Sequence, residues 1–139
     1  METTERSFTG HFEILASISE FVAESVNSLG LSEREVYALQ LAVDEAATNI
    51  LEYAYRDHKA GTIDLSLDIS PHQRVVITLH DQGQPFDPNL VQPYSSDVPL
   101  NEMSERGAGL HLIHAIMDQV DFKFDKRKGN TLQMVKFIE

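Results

Sequence analysis

Apolar residues recur at a helical interval from about Phe12 to Leu29. Ile14, Leu15, Ile18, Phe21, Val22, Val26 and Leu29 follow i, i+3, i+4, i+7 spacing and predict one amphipathic helix, closed by Gly30. Ahead of it, Ser7 to Phe12 is short enough for an edge strand. A second helix is expected from Ser32, where Glu35 three residues on completes a possible capping box. Its stripe of Val36, Leu39, Val43, Ala46, Ala47, Ile50 and Ala54 carries it to about Tyr55. From Thr62 to Ser70 the period switches to two: Ile63, Leu65, Leu67 and Ile69 face one way while Thr62, Asp64, Ser66 and Asp68 face the other. That alternation predicts a strand packed on helices by one face.

A turn at Pro71 to Arg74 leads to a more apolar strand, Val75 to Leu79, expected to be central and to end at His80-Asp81. Gln82 to Arg106 shows no period and contains Pro85, Pro88, Pro93 and Pro99. An irregular stretch of that length inside a domain is usually a lid, a binding loop or disordered. A third helix is expected over about Gly107 to Asp118. Val120 to Phe124 and Thr131 to Ile138, joined by a basic turn through Gly129-Asn130, then predict a hairpin. Without regular βαβ alternation, this order predicts an α+β two-layer sandwich, one domain over residues 1–139.

Composition narrows the functional classes. With 22 acidic against 11 basic residues, the net charge is -11, which argues against non-specific nucleic-acid binding and anionic membrane surfaces. The absence of cysteine excludes disulfides, thiol nucleophiles and Cys-type zinc sites. Neither an apolar leader nor a membrane-length apolar run is seen, so a soluble, cytoplasmic domain is expected.

Three clusters could carry chemistry. On the second helix, Glu45 and Asn49 are four apart and share a face, with Glu52 a turn further. A carboxylate and a carboxamide there suit a hard cation plus a general base, or simply a solvated helix face. Directly after a strand comes Asp81-Gln82-Gly83, followed by Phe86-Asp87. An Asp there with Gly two residues on lets a ligand approach the backbone, or makes an ordinary turn. The third cluster, Arg106-Gly107-Ala108-Gly109-Leu110, opens a helix. Its free amides and the helix dipole suit an anion, with Arg106 as a charged donor. A Rossmann fingerprint, a P-loop, eukaryotic-type kinase signatures and a Gly-x-Ser-x-Gly elbow are all absent. His111 and His114 are expected to be surface or packed histidines rather than metal ligands. Lys123, Lys126, Arg127 and Lys128 read as a solvated turn.

In order, these clusters resemble the GHKL ATPase/kinase superfamily and, within it, bacterial anti-sigma factor serine/threonine kinases. Glu45-Ala-Ala-Thr-Asn49 with Ala54-Tyr55 is similar to the N-box, Asp81-x-Gly83-x-x-Phe86-Asp87 to the G1 box, and Gly107-x-Gly109-Leu110 to the G2 box. Gly129-Asn130-Thr131 resembles the Gly/Thr element before the last strand. The resemblance implies a Bergerat fold, a mixed sheet covered on one face by helices, with an ATP lid over about 88–106. It implies ATP and Mg²⁺ as ligands, with Asn49 on the metal, Glu45 as base and Asp81 as acceptor for the adenine amino group. By the same resemblance Gly83 belongs to the adenine box, Thr131 sits near the Asp81 carboxylate, and Gly107, Ala108, Gly109 and Leu110 cradle phosphate. Arg106 would lie near the γ-phosphate. The implied function is phosphorylation of a STAS-type anti-sigma antagonist, with control of a sigma factor by partner switching, in a homodimer. The alternative is a non-catalytic ATP-holding module that acts by partner exchange only. A two-component histidine kinase is disfavoured, because no dimerisation helix pair bearing a phosphoacceptor histidine precedes the domain.

Overall fold

The computed structural model describes residues 2–86 and 112–138. In chain order, β1 (Glu2–Gly10) leads through a 3-10 turn, Phe12–Ile14, into α1 (Leu15–Ser25), and a second 3-10 turn, Asn27–Leu29, leads to α2 (Glu33–Asn49). A π-helical turn, Ile50–Ala54, follows α2 directly. Then come β2 (Gly61–Ser70), β3 (Arg74–Asp81), helical residues 112–116, β4 (Gln119–Asp125) and β5 (Gly129–Phe137). The expected lid over 88–106, Asp87, the G2 residues Gly107 to Leu110, Arg106 and His111 lie outside the described residues.

The single first helix read from periodicity is divided into three pieces. Near its end the Ser25 hydroxyl donates back to the Phe21 carbonyl (2.7 Å), and Asn27-Ser28 follow. Such residues compete for backbone bonds and favour tight turns over continued α-helix. Gly30 then closes the segment in the left-handed region, at φ 68°. The capping box at α2 is present in both directions. The Ser32 hydroxyl accepts from the Glu35 N–H, and the Glu35 carboxylate accepts from the Ser32 N–H, each at 3.1 Å.

The five strands lie in the order β1-β2-β3-β5-β4, with β3 central as expected. The mixed sheet implied by the resemblance is corrected: among the described residues all four pairings are antiparallel. The helices account for the first, since α1 and α2 pack on each other and return the chain to the end it left. Gly10 therefore pairs with Gly61, and β2 runs back along β1. β4 runs parallel to β3, but β5 lies between them, so no described neighbours are parallel. Ile18, Phe21 and Val22 of α1, with Leu39, Val43 and Ala47 of α2, are buried with the inward rows of β2 and β3. Ile113 and Met117 complete that layer. The sheet rows nearest the C-terminal end of α2 hold the candidate chemistry.

Candidate functional site

One register row carries the site across the sheet. Ile63 of β2 pairs with Asp81 of β3, Asp81 with Asn130 of β5, and Asn130 with Phe124 of β4. Two polar residues thus sit in a row that otherwise continues the core. Asp81 and Asn130 are each only 2% exposed. The Asn130 Nδ2 donates to Asp81 Oδ1 at 2.9 Å and, at 3.2 Å, to the carbonyls of Gly83 and Gln84. Asp81 Oδ1 also accepts from the Gly83 N–H at 2.9 Å. Burial pushes the Asp81 carboxyl above the ordinary aspartate range, against these hydrogen bonds, which favour the ionised form. Three acceptors around Nδ2 fix the orientation of the Asn130 amide. Among the described residues, its Oδ1 is a buried side-chain oxygen with no hydrogen-bond partner. Such an atom costs about 1–3 kcal/mol unless something supplies a donor.

α2 brings the other half. Asn49, its last residue, is 6% exposed, and Glu45 lies one turn earlier, half-buried on the same helix. Asn49, Ala46 and Ile50 face Asp81, Asn130, Phe86 and Phe124 around a single cavity. The N-box carboxamide and the G1 carboxylate are therefore brought together. Thr131 also lines this cavity, but its register partner is His80, and the side chain bonded to Asp81 is its neighbour Asn130. The cavity holds ≈ 10 Å³, about the least that admits one water. Aromatic rings close it: Phe86 stacks on Tyr53 at 5.6 Å between centroids and meets Phe124 edge-on at 5.4 Å.

The G1 turn is docked on the π-helical turn that follows α2. The Gln84 N–H donates to the Ala54 carbonyl (2.8 Å), and its side-chain amide to the Tyr53 carbonyl (3.0 Å). A Cβ on Gly83 would lie 2.5 Å from that same Ala54 oxygen, so the close approach requires glycine. Tyr55 secures the strand end, its hydroxyl accepting from the Gln82 N–H (2.9 Å) and donating to the Thr62 carbonyl (2.8 Å). On the far side Gly129 adopts φ 91°, and a Cβ there would lie 2.3 Å from the Asp81 carbonyl.

Sequence reasoning passed over Asn130 and Tyr55 as functional groups. Asn130 carries a signal: it is in phase with the inward-facing Leu132 and Met134, so it is a polar residue on an apolar face. Among the described residues no three His, Cys, Asp or Glu side chains gather as a metal cluster. His114 is exposed. In the basic turn Asp125 Oδ1 accepts from the N–H groups of Arg127 and Lys128, as in an ordinary side-chain-closed turn.

The histidine kinase-like ATPase domain family matches residues 8–136. The chain is 32% identical to the serine-protein kinase RsbW of Halalkalibacterium halodurans, over 99% of this chain and 85% of that one. It is 34% identical to the protein of the same name from Oceanobacillus iheyensis, over 81% and 72%. Among solved structures, the RsbU and RsbW domains of a Mycobacterium tuberculosis protein share the fold at a TM-score of 0.62 and 15% identity, covering 96% of this chain and 32% of that one. A mycobacterial sensor histidine kinase, MprB, does so at 0.55 and 14%, covering 96% and 97%. The buried Asp81, the glycine beside it and the Asn49 helix facing them thus lie within a recognised domain: the chain belongs to the histidine kinase-like ATPase family, alongside the RsbW serine-protein kinases.

Proposed function

We propose that this chain is an ATP-dependent serine/threonine protein kinase of the anti-sigma type, which phosphorylates a STAS-type antagonist and controls a sigma factor by partner switching. The observation that carries this reading is the pair of buried acceptors, Asp81 and Asn130, lining one small cavity with Asn49. The Asp81 carboxylate, held by the Asn130 amide and the Gly83 N–H, keeps acceptor capacity for a ligand with hydrogen-bond donors, and an adenine amino group supplies them. The donor set also fits Mg²⁺, which binds through one or two protein groups and completes its shell with phosphate oxygens. Asn49 would hold that ion, and ATP with its metal would supply the transferable phosphoryl group.

The chain's own groups do the rest. Glu45, one turn from Asn49, takes the proton from the attacking serine hydroxyl. Gly83 keeps the backbone low enough for the base, and Thr131 stands at the cavity edge. Arg106 and the amides of Gly107, Ala108, Gly109 and Leu110 bind phosphate, and the segment 88–106 acts as the lid. The protein works in the cytoplasm as a homodimer. Among the described residues no helix is long and apolar enough to cross a membrane.

The test is incubation with Mg-ATP and a STAS-type antagonist, followed by intact-mass measurement. Wild type should add one phosphate to the antagonist. Glu45→Gln should bind Mg-ATP within a few-fold of wild type yet transfer about 10²- to 10⁴-fold more slowly. Asn49→Ala should weaken Mg-ATP itself. Nucleotide binding without transfer by wild type would make the chain a binding module, and undiminished transfer by Glu45→Gln would remove its role as base.

A further inference from the structure

The β4–β5 hairpin carries a charge pattern that the rest of the chain lacks. Four of the 11 basic residues, Lys123, Lys126, Arg127 and Lys128, fall within six positions of a chain whose net charge is -11. All four are exposed, and among the described residues none is in an ion pair. The carboxylate beside them, Asp125, is engaged by the backbone: its Oδ1 accepts from the N–H groups of Arg127 and Lys128 at 2.8 and 3.1 Å. The turn is also fixed to the strand end that bears Asp81. The His80 Nε2 donates to the Lys128 carbonyl at 2.7 Å, and Gly129 packs against the Asp81 carbonyl. The turn opens one register row beyond Asn130 and Phe124, which line the candidate site's cavity.

Resting on the kinase reading above, we propose that this hairpin turn docks an acidic patch of the phosphoacceptor protein. Cations on a turn that is already ordered lose little freedom on meeting carboxylates, and Arg127 can hold one through two parallel hydrogen bonds. The rest of the chain decides between classes of anion. A nucleic acid or an anionic membrane presents an extended negative surface, which would also face the acidic remainder of the chain and be repelled. A compact acidic patch on a folded protein meets the turn alone. Bound there, that protein lies at the end of the sheet that holds Asp81 and Asn130, so docking also concentrates its serine near the site.

The test uses the full chain, Mg-ATP and a STAS-type antagonist. Lys126→Gln, Arg127→Gln and Lys128→Gln together remove three charges and leave the turn's backbone bonds in place. This variant should melt at the wild-type temperature and keep kcat and the KM for Mg-ATP. Its KM for the antagonist should rise about ten-fold at about 0.05 M sodium chloride. Raising the salt to about 0.5 M should move the wild-type value towards the variant's and change the variant's far less. A control, Arg34→Gln with Lys59→Gln and Arg74→Gln, removes the same charge at exposed positions elsewhere and should leave the antagonist's KM within about two-fold of wild type. Lys126→Arg with Lys128→Arg keeps the charge and should behave as wild type, which separates charge from turn structure. An unchanged antagonist KM in the Gln variant, or an equal rise in the control, overturns the docking role and leaves the kinase reading standing. Tighter binding of wild type to a single-stranded DNA decamer or to phosphatidylserine vesicles than to the antagonist, lost in the Gln variant, assigns the turn to those surfaces and overturns the role as well. Absence of transfer by wild type overturns the kinase reading and this inference with it.

Discussion

Asp81 illustrates how function at one residue opposes stability. Its native pKa lies above the unfolded value because burial penalises the charge. Between the two values the folded chain binds more protons than the unfolded one, so unfolding free energy falls as pH rises across that window and stays lower above it. Asp81→Asn keeps an oxygen for the Asn130 and Gly83 donors and abolishes the buried charge. The empty variant should melt higher than wild type at neutral pH, with the difference closing as pH drops through the raised pKa. The same variant should lose most of the melting-temperature gain that wild type shows with Mg-ATP, since the base-edge acceptor is gone. Thermal melts across pH, with and without nucleotide, check both halves. A lower melting point for the empty variant at neutral pH would mean that the hydrogen bonds at Asp81 outweigh its desolvation.

At the scale of elements, α2, β2 and β3 were legible because each buries one face, and burial writes a period into the sequence. The capping box is equally local, and Ser32→Ala should cost about 1 kcal/mol in urea denaturation. A loss near zero would show that packing rather than capping starts the helix. β1 was only half visible, since it is specified by polar pairs on the exposed sheet face. Thr3 donates to Asp68 (2.6 Å) and Ser7 to Asp64 (2.5 Å), contacts that carry no hydrophobic signal. The π-helical turn was not legible at all, because Ile50 to Ala54 keep an apolar pattern that an α-helix would share. At the site, Asp81, Gly83 and Asn49 could be picked out by residue type at an element end. Asn130 was passed over, because the Gly/Thr resemblance drew attention one position along, to Thr131, although its phase with the inward-facing Leu132 and Met134 sets the two apart.

For the whole molecule, the net charge of -11 should act as a diffuse stress on the compact state. Among the described residues the Lys136–Asp118 pair at 3.6 Å opposes it, and that pair is partly exposed and so worth little. Screening should therefore help more than it harms, and the melting temperature should rise as sodium chloride goes from about 0.05 to 0.5 M. A fall would show that local pairs outweigh the overall repulsion. A different consequence follows from the way the G1 turn is seated. The last carbonyls of a helix need partners from elsewhere, and here those of Tyr53 and Ala54 receive theirs from Gln84, a residue of the loop that carries the chemistry. The helix end and the loop therefore cap one another and open together. In amide hydrogen exchange, the protons of Tyr55, Gln82 and Gln84 should share one protection factor although they are separated along the chain. Nucleotide should slow all three by the same factor, as a single cooperative unit; exchange at independent rates would show the two segments opening apart.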